Sequence, residues 1–173
     1  MFEAMIPALE RAAISAGDFK AVTAKVRDAL EPFLAGKLPD THCAGAVGCY
    51  TRHLIHCDPQ GRWCAVAIVL APGQSNPIHN HHTWGVIGVV RGRETEIRYR
   101  RAEDGTLAEI KRHFNHPGEM SVVIPPWDVH RIEGAAEDGG NTISIHVYGG
   151  DVNHVTKAIF EQAGLSYVIP CAP

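Results

Sequence analysis

Hydrophobic positions recur at two different periods along this chain, and the change of period divides it. Near the start they step by three and four. Phe19, Val22, Val26 and Leu30 line one side of a helix that Asp18 can cap and that ends before Pro32 or near Gly36. Residues 6–15 read as a helix before it. From about Gly45 to Tyr148 the pattern breaks into short β-type runs at 47–56, 62–70, 84–91, 94–101, 106–113, 120–124 and 141–148. Asp104-Gly105 marks a hairpin between the fourth and fifth runs. Asp151 then opens a predicted last helix, with Val152, Val155, Ile159 and Phe160 facing the body and Gly164 stopping it. The expected architecture is one mainly β domain over residues 1–173. It has a helical segment at 1–40, a small barrel or double-sheet jelly roll at about 45–150, and a C-terminal helix at about 151–164.

Composition narrows the class without deciding it. A chain of 173 residues with 45% hydrophobic content suits one domain with a sizeable core. A net charge of -3 with no basic block leaves no electrostatic footprint for nucleic acid or a membrane surface. Cys43, Cys49, Cys57, Cys64 and Cys171 form no C-x-x-C pair and are odd in number. Glu3, Glu10 and Arg11 interrupt any apolar leader, and no run is long enough to span a bilayer. These features predict a cytoplasmic, reduced protein with free thiols.

Chemistry enters at His79-Asn-His81. The pair lies between Pro77 and an apolar run from Val86 to Val90. Alternation along a strand puts His79 and His81 on one face and His82 on the other. A helix would need a spacing of three or four, and Pro77 and Gly85 argue against one. Two imidazoles on one strand face suit a metal, and His130, after Pro125-Pro126-Trp127-Asp128, offers a third. Three imidazoles leave other coordination positions open, which suits a redox metal such as Fe(II) that binds further small ligands. Zn²⁺ on the same ligands, activating water, is the competing reading. For His42, His53, His56, His113, His116 and His154 the expectation is an ordinary solvated or core histidine.

Ser144, His146 and Tyr148 occupy alternate positions of the last β-type run, with Ile143, Ile145 and Val147 on the other side. Three hydrogen-bonding groups on one face mean either a solvated face or a polar relay inside the barrel. Arg52 lies two residues beyond Tyr50, so both can face one side of a strand. Its planar fork suits a carboxylate, although a surface arginine is the plain alternative.

These residues also carry a resemblance. Gly73-x5-His79-x-His81-x3-Gly85-x6-Gly92 resembles the first motif of the cupin superfamily, with glycine where many cupins carry a glutamate ligand. Gly118 through Pro125, Trp127 and His130 resembles the second, with Trp127 where glycine is usual. Three histidines without a carboxylate, Tyr50-Thr-Arg52 and Ser144-Ile-His146-Val-Tyr148 together are similar to the thiol dioxygenases, the cysteine dioxygenase family, in its bacterial form. The likeness covers roughly residues 45–165.

The resemblance implies a cupin (double-stranded β-helix) barrel whose His79, His81 and His130 hold Fe(II). It implies a non-haem dioxygenase that joins O₂ to a small thiol and yields a sulfinic acid, with Ser144, His146 and Tyr148 holding the tyrosine hydroxyl beside iron. Arginine after Tyr-Thr is the habit of cysteine-oxidising members, so Arg52 is expected to hold the substrate carboxylate, with Tyr50 beside it. Members that oxidise 3-mercaptopropionate use a cation from the last helix, where this chain has Lys157, and Trp84-Gly85-Val-Ile-Gly88 looks more like that branch. L-cysteine is therefore the expected substrate, with 3-mercaptopropionate or mercaptosuccinate as the alternative. A non-catalytic metal-binding cupin is the rival from another class. The expected partners are a small thiol and O₂, and the expected state is a monomer or weak homo-oligomer. Family members with a cysteine–tyrosine thioether place the cysteine where Gly85 and Val86 stand here, so Tyr148 is expected to stay unmodified unless the fold brings Cys64 near it.

Overall fold

The computed structural model describes residues 1–46, 48–135, 139–151 and 158–160. Two helices open the chain, α1 (Phe2–Ala13) and α2 (Phe19–Leu34), followed by a short 3-10 turn at Asp40–His42. Asp18 caps α2, its Oδ1 accepting from the Ala21 N–H at 2.8 Å. Pro32 sits inside the helix, which runs on to Leu34, so the stop lies near Gly36 as one of the two expected ends.

Among the described residues ten strands follow: β1 (Thr51–Cys57), β2 (Cys64–Leu70), β3 (Ile78–Asn80), β4 (Gly85–Arg91), β5 (Glu94–Arg101), β6 (Leu107–Asn115), β7 (Met120–Val123), β8 (His130–Gly134), β9 (Thr142–Tyr148) and β10 (Ala158–Phe160). They form two five-stranded antiparallel sheets, ordered β1-β2-β9-β4-β7 and β10-β3-β8-β5-β6. The eight strands β2 to β9 thus divide in jelly-roll order, the first, eighth, third and sixth in one sheet and the second, seventh, fourth and fifth in the other. Asp104-Gly105 makes the expected β5–β6 turn, with Gly105 at φ 86 and Asp104 Oδ1 accepting from the Thr106 N–H.

The helices cover the outer face of the first sheet. Met5, Leu9, Val26, Leu30 and Leu34 pack with Ala65, Ala67, Val69, Ile143, Ile145 and Val147 in one buried cluster. Gly88 permits this approach, since a Cβ there would meet Leu34 Cδ2 at 2.6 Å. The alternate residues of the same strands therefore face the second sheet. Cys64, Val66, Ile68, Leu70 and Tyr148 pack there against Ile132 of β8. That single choice of faces puts Ser144 and His146 inside the barrel, both 1% exposed.

Two sequence expectations are corrected. Residues 158–160 do not belong to a C-terminal helix but pair with β3, Phe160 opposite Ile78 and Ala158 opposite Asn80. The backbone edge of β3 is the stronger attraction: Phe160 packs toward Ile78, Ile97 and Tyr99, while Ile159 is 54% exposed. Cys49 is disulfide-bonded, which departs from the expectation of free thiols throughout, whereas Cys43, Cys57 and Cys64 are free. The remainder of the predicted last helix lies outside the described residues. No helix among those described is long and apolar enough to cross a membrane.

Candidate metal centre

His79 on β3 and His130 on β8 are direct register partners across the second sheet. His81 follows one residue after β3 ends, and the three ligand nitrogens lie within 4.8 Å of one another. All three rings are buried, at 7%, 1% and 0% exposure. The turn that aims His81 is held by Asp128, whose Oδ2 accepts from the backbone N–H groups of His81 at 3.0 Å and His82 at 2.7 Å. His82 has φ 57 and is exposed, so it stands outside the cluster as the alternation predicts.

The hydrogen bonds on the far side of the rings decide which nitrogens face inward. His79 Nδ1–H donates to the Pro77 carbonyl at 2.9 Å, and His130 Nδ1–H donates to Glu96 Oε1 at 3.0 Å. Each Nε2 is then left with a lone pair toward the cluster. Burial, aided by the neighbouring His130, lowers the His79 pKa to about 3, so that ring is neutral near pH 7. His81 Nε2 and His130 Nε2 face each other at 3.1 Å, close enough to share a hydrogen bond or, with both nitrogens bare, a cation. The donor set therefore fits a metal that takes imidazole nitrogen, with no carboxylate in the cluster among the described residues.

Glu96 orients this set from outside. Its carboxylate is fully buried and also meets His113 Nε2 at 3.1 Å and an Arg98 guanidinium nitrogen at 3.2 Å. Burial acts to raise its pKa, but the hydrogen bonds from His113 and His130, with the Arg98 charge, hold it well below the usual carboxylate range. His113 is accordingly tied into the site rather than simply solvated, and Arg98 is fixed further by the Val122 carbonyl at 2.7 Å.

The β9 residues form a continuous chain beside the cluster. Tyr148 Oη lies 2.8 Å from His146 Nδ1, His146 Nε2 lies 2.9 Å from Ser144 Oγ, and Ser144 Oγ donates to Glu94 Oε2 at 2.7 Å. The Tyr148 ring lies on His81, centroids 4.6 Å apart. Burial, with the nearby imidazoles of His130 and His79, lowers His146 to about 3, and burial raises Tyr148 well above its ordinary value. Of the two readings of this strand face, the interior polar chain is the one the fold contains.

Arg52 and Tyr50 stand at the edge of this region. Arg52 is opposite Ile68 of β2 in register, is exposed, and is close enough for its charge to act on Tyr50, His79 and Tyr148. It makes no hydrogen bond or ion pair with the described residues. Tyr50 is buried with Tyr148 in the inner cluster. Lys157 lies outside the described residues. Cys64 is the register partner of Tyr148, so the fold does bring that thiol beside the tyrosine strand. Burial is the main reason its pKa rises to about 12, which keeps it in the thiol form. Gly85 is required where it stands, because a Cβ would meet Tyr148 Cε1 at 2.8 Å.

Glu94, Glu96, Asp128 and His113 were not legible as site residues in the sequence. Glu94, Glu96 and Arg98 share one face of β5 by alternation, a pattern that reads equally well as a solvated edge. Only the position of β5 between β8 and β6 turns that face into the interior.

No protein-family model matches the sequence. Among solved structures, the chain resembles a conserved protein with a double-stranded beta-helix domain from Klebsiella pneumoniae subsp. pneumoniae MGH 78578, at 19% identity over 73% of this chain and 99% of that one, with a TM-score of 0.49. It also resembles a Cupin 2 conserved barrel domain protein from Salinispora arenicola CNS-205, at 19% identity over 69% of this chain and 90% of that one, TM-score 0.46. An oxalate oxidase solved with the substrate analogue glycolate aligns at 15% identity over 68% of this chain and 60% of that one, TM-score 0.50. Likeness at such identity concerns the fold alone. The strand order is that of a double-stranded β-helix (jelly roll), and its described residues include a three-histidine cluster that could bind a metal.

Proposed function

We propose that this protein is a non-haem Fe(II) thiol dioxygenase that converts a small carboxylate-bearing thiol and O₂ to the sulfinic acid, with L-cysteine as the preferred substrate. The observation that supports the reading best is the pairing of the His79-His81-His130 cluster, which has no carboxylate among the described residues, with a buried tyrosine chain lying on one of its histidines. A purely structural metal site has no use for such a chain. His79, His81 and His130 would hold the iron, which supplies redox chemistry that the side chains lack.

The remaining groups then have distinct tasks. Imidazole ligands add no negative charge to a bound metal, which favours taking up sulfur as a thiolate. Arg52 holds the substrate carboxylate with a charge-assisted bond and so fixes where the sulfur lies. The Tyr148 hydroxyl, anchored by His146, supplies a hydrogen bond or a proton beside the reacting sulfur. Tyr50 packs with Tyr148 in the apolar cluster beside them.

The test is anaerobic Fe(II) loading followed by oxygen uptake and mass spectrometry of products over L-cysteine, 3-mercaptopropionate, mercaptosuccinate and cysteamine. Sulfinic acid from L-cysteine is expected. Arg52→Ala should lower kcat/KM for the carboxylate thiols about ten- to a hundredfold, with little change for cysteamine. If Lys157→Ala causes that loss instead, the carboxylate is held from the C-terminal segment and 3-mercaptopropionate becomes the better substrate. No uptake with any thiol, in protein that retains iron, defeats the assignment.

A further inference from the structure

The tyrosine chain does not stop at Ser144. Its last member is Glu94, fully buried on β5, whose Oε2 accepts the Ser144 hydroxyl proton at 2.7 Å. With Glu94 ionised every direction along the chain is fixed. Ser144 O–H donates to the carboxylate, His146 Nε2–H donates to Ser144 Oγ, and Tyr148 O–H donates to His146 Nδ1. The tyrosine then offers only lone pairs to its surroundings.

We propose that Glu94 is the proton terminus of this chain, and that its protonation reverses the hydrogen direction at every member. A proton accepted at Tyr148 Oη sends the tyrosine's own proton to His146 Nδ1. The His146 Nε2 proton passes to Ser144 Oγ, and the Ser144 proton passes to Glu94 Oε2. One proton enters, one O–H bond forms on Glu94, and each interior group loses and gains one proton. Afterwards Glu94 donates to Ser144, Ser144 to His146 Nε2, and His146 Nδ1–H to Tyr148, whose hydroxyl is free to donate toward the His81 side.

The surroundings suit Glu94 to this role. Ser144 from β9, Asn115 from β6 and Glu96 from its own strand are the groups that act on it, and none is a cation. Its β8 register partner is Gly134, and the adjacent Arg93 stacks on Phe114 at 4.9 Å. Burial, with repulsion from Glu96, accordingly lifts the Glu94 pKa to about 7, where a carboxyl can take and return a proton. The polarity reversal stands independently of the thiol assignment. Only its use rests on that reading: the proton shed as a thiol becomes a thiolate is the one the chain would carry to Glu94.

The test reads the His146 tautomer by ¹⁵N-histidine NMR on the chelator-treated full chain from pH 5.5 to 8.5, with the signal assigned by its loss in His146→Gln. The expected result is the Nε2–H form at high pH and the Nδ1–H form at low pH. Glu94→Gln, which cannot take up the proton, should abolish the switch, and so should Ser144→Ala, which leaves the carboxyl in place but cuts its link. A single wild-type tautomer over the whole range, or a switch that persists unchanged in Glu94→Gln, overturns the proposal. Neither measurement uses thiol oxidation, so a failed oxygen-uptake assay and a failed tautomer switch are separate results.

Discussion

Glu94 and Glu96 stand two residues apart on β5, share one face of the strand and are both 0% exposed, yet their carboxyls are driven in opposite directions. Glu96 meets His130, His113 and Arg98, and those three donors overcome the burial that works against its charge. Glu94 accepts from the Ser144 hydroxyl, with the Asn115 side chain nearby, and burial prevails. Equal burial of the same group on the same strand therefore gives a fixed anion in one place and a titratable acid in the other. The number and charge of local donors decide which. Each carboxyl then serves a different side of the site. Glu96 backs His130 of the histidine cluster, while Glu94 backs the chain that ends at Tyr148.

The comparison breaks most severely at the groups the two carboxyls support. His130→Ala removes what Glu96 orients, and metal analysis of the purified protein should show metal retention abolished. His79→Ala and His81→Ala should match it, and the exposed His82→Ala should keep its metal. On the Glu94 side, Tyr148→Phe should keep both metal and fold but lower thiol turnover by about 10²–10⁴, the usual worth of a positioned proton donor or acceptor. Steady-state rates at equal metal content decide this, and unchanged turnover would reduce β9 to scaffold.

Smaller effects sharpen the contrast between the carboxyls themselves. Glu96→Gln should weaken metal binding about 10- to 100-fold, read by chelator competition, because His130 loses its charged acceptor. Glu94→Gln should leave metal affinity nearly unchanged and alter the pH dependence of stability instead. The folded-state pKa of Glu94, about 7, lies above the ordinary carboxyl value of 4.5. The folded protein therefore binds more protons than the unfolded chain between those pH values, and the Glu94 contribution to stability is lost as pH rises through about 7. Denaturant midpoints measured from pH 5 to 8 should fall less steeply in Glu94→Gln than in wild type. Equal slopes would mean that Glu94 is already ionised when folded.

Period and spacing alone fixed much of this protein. The three-and-four step of Phe19, Val22, Val26 and Leu30 could only be an amphipathic helix, and Asp18 marked its start. Alternation placed His79 with His81 and away from His82, and placed Ser144, His146 and Tyr148 on a common face. These are local properties of a pleated strand, so they survive whatever the strand packs against. The helix expected after Asp151 shows the limit. Ile159 and Phe160 fit a helical step as well as a strand, and the free edge of β3 settled the matter for residues 158–160.

Tertiary structure decided everything that depends on which face becomes the interior. The sequence could not tell a solvated Ser-His-Tyr face from a buried one, nor a surface Glu-Thr-Glu from two interior carboxyls. Helices α1 and α2 cover Ile143, Ile145 and Val147, which sends the polar face of β9 toward the second sheet. The β8–β5–β6 order brings His130, Glu96 and His113 together across positions 96 to 130. Alternation is a property of neighbouring residues and can be read from the chain. Burial and the identity of a carboxyl's donors are properties of distant strands, and only their packing determines them.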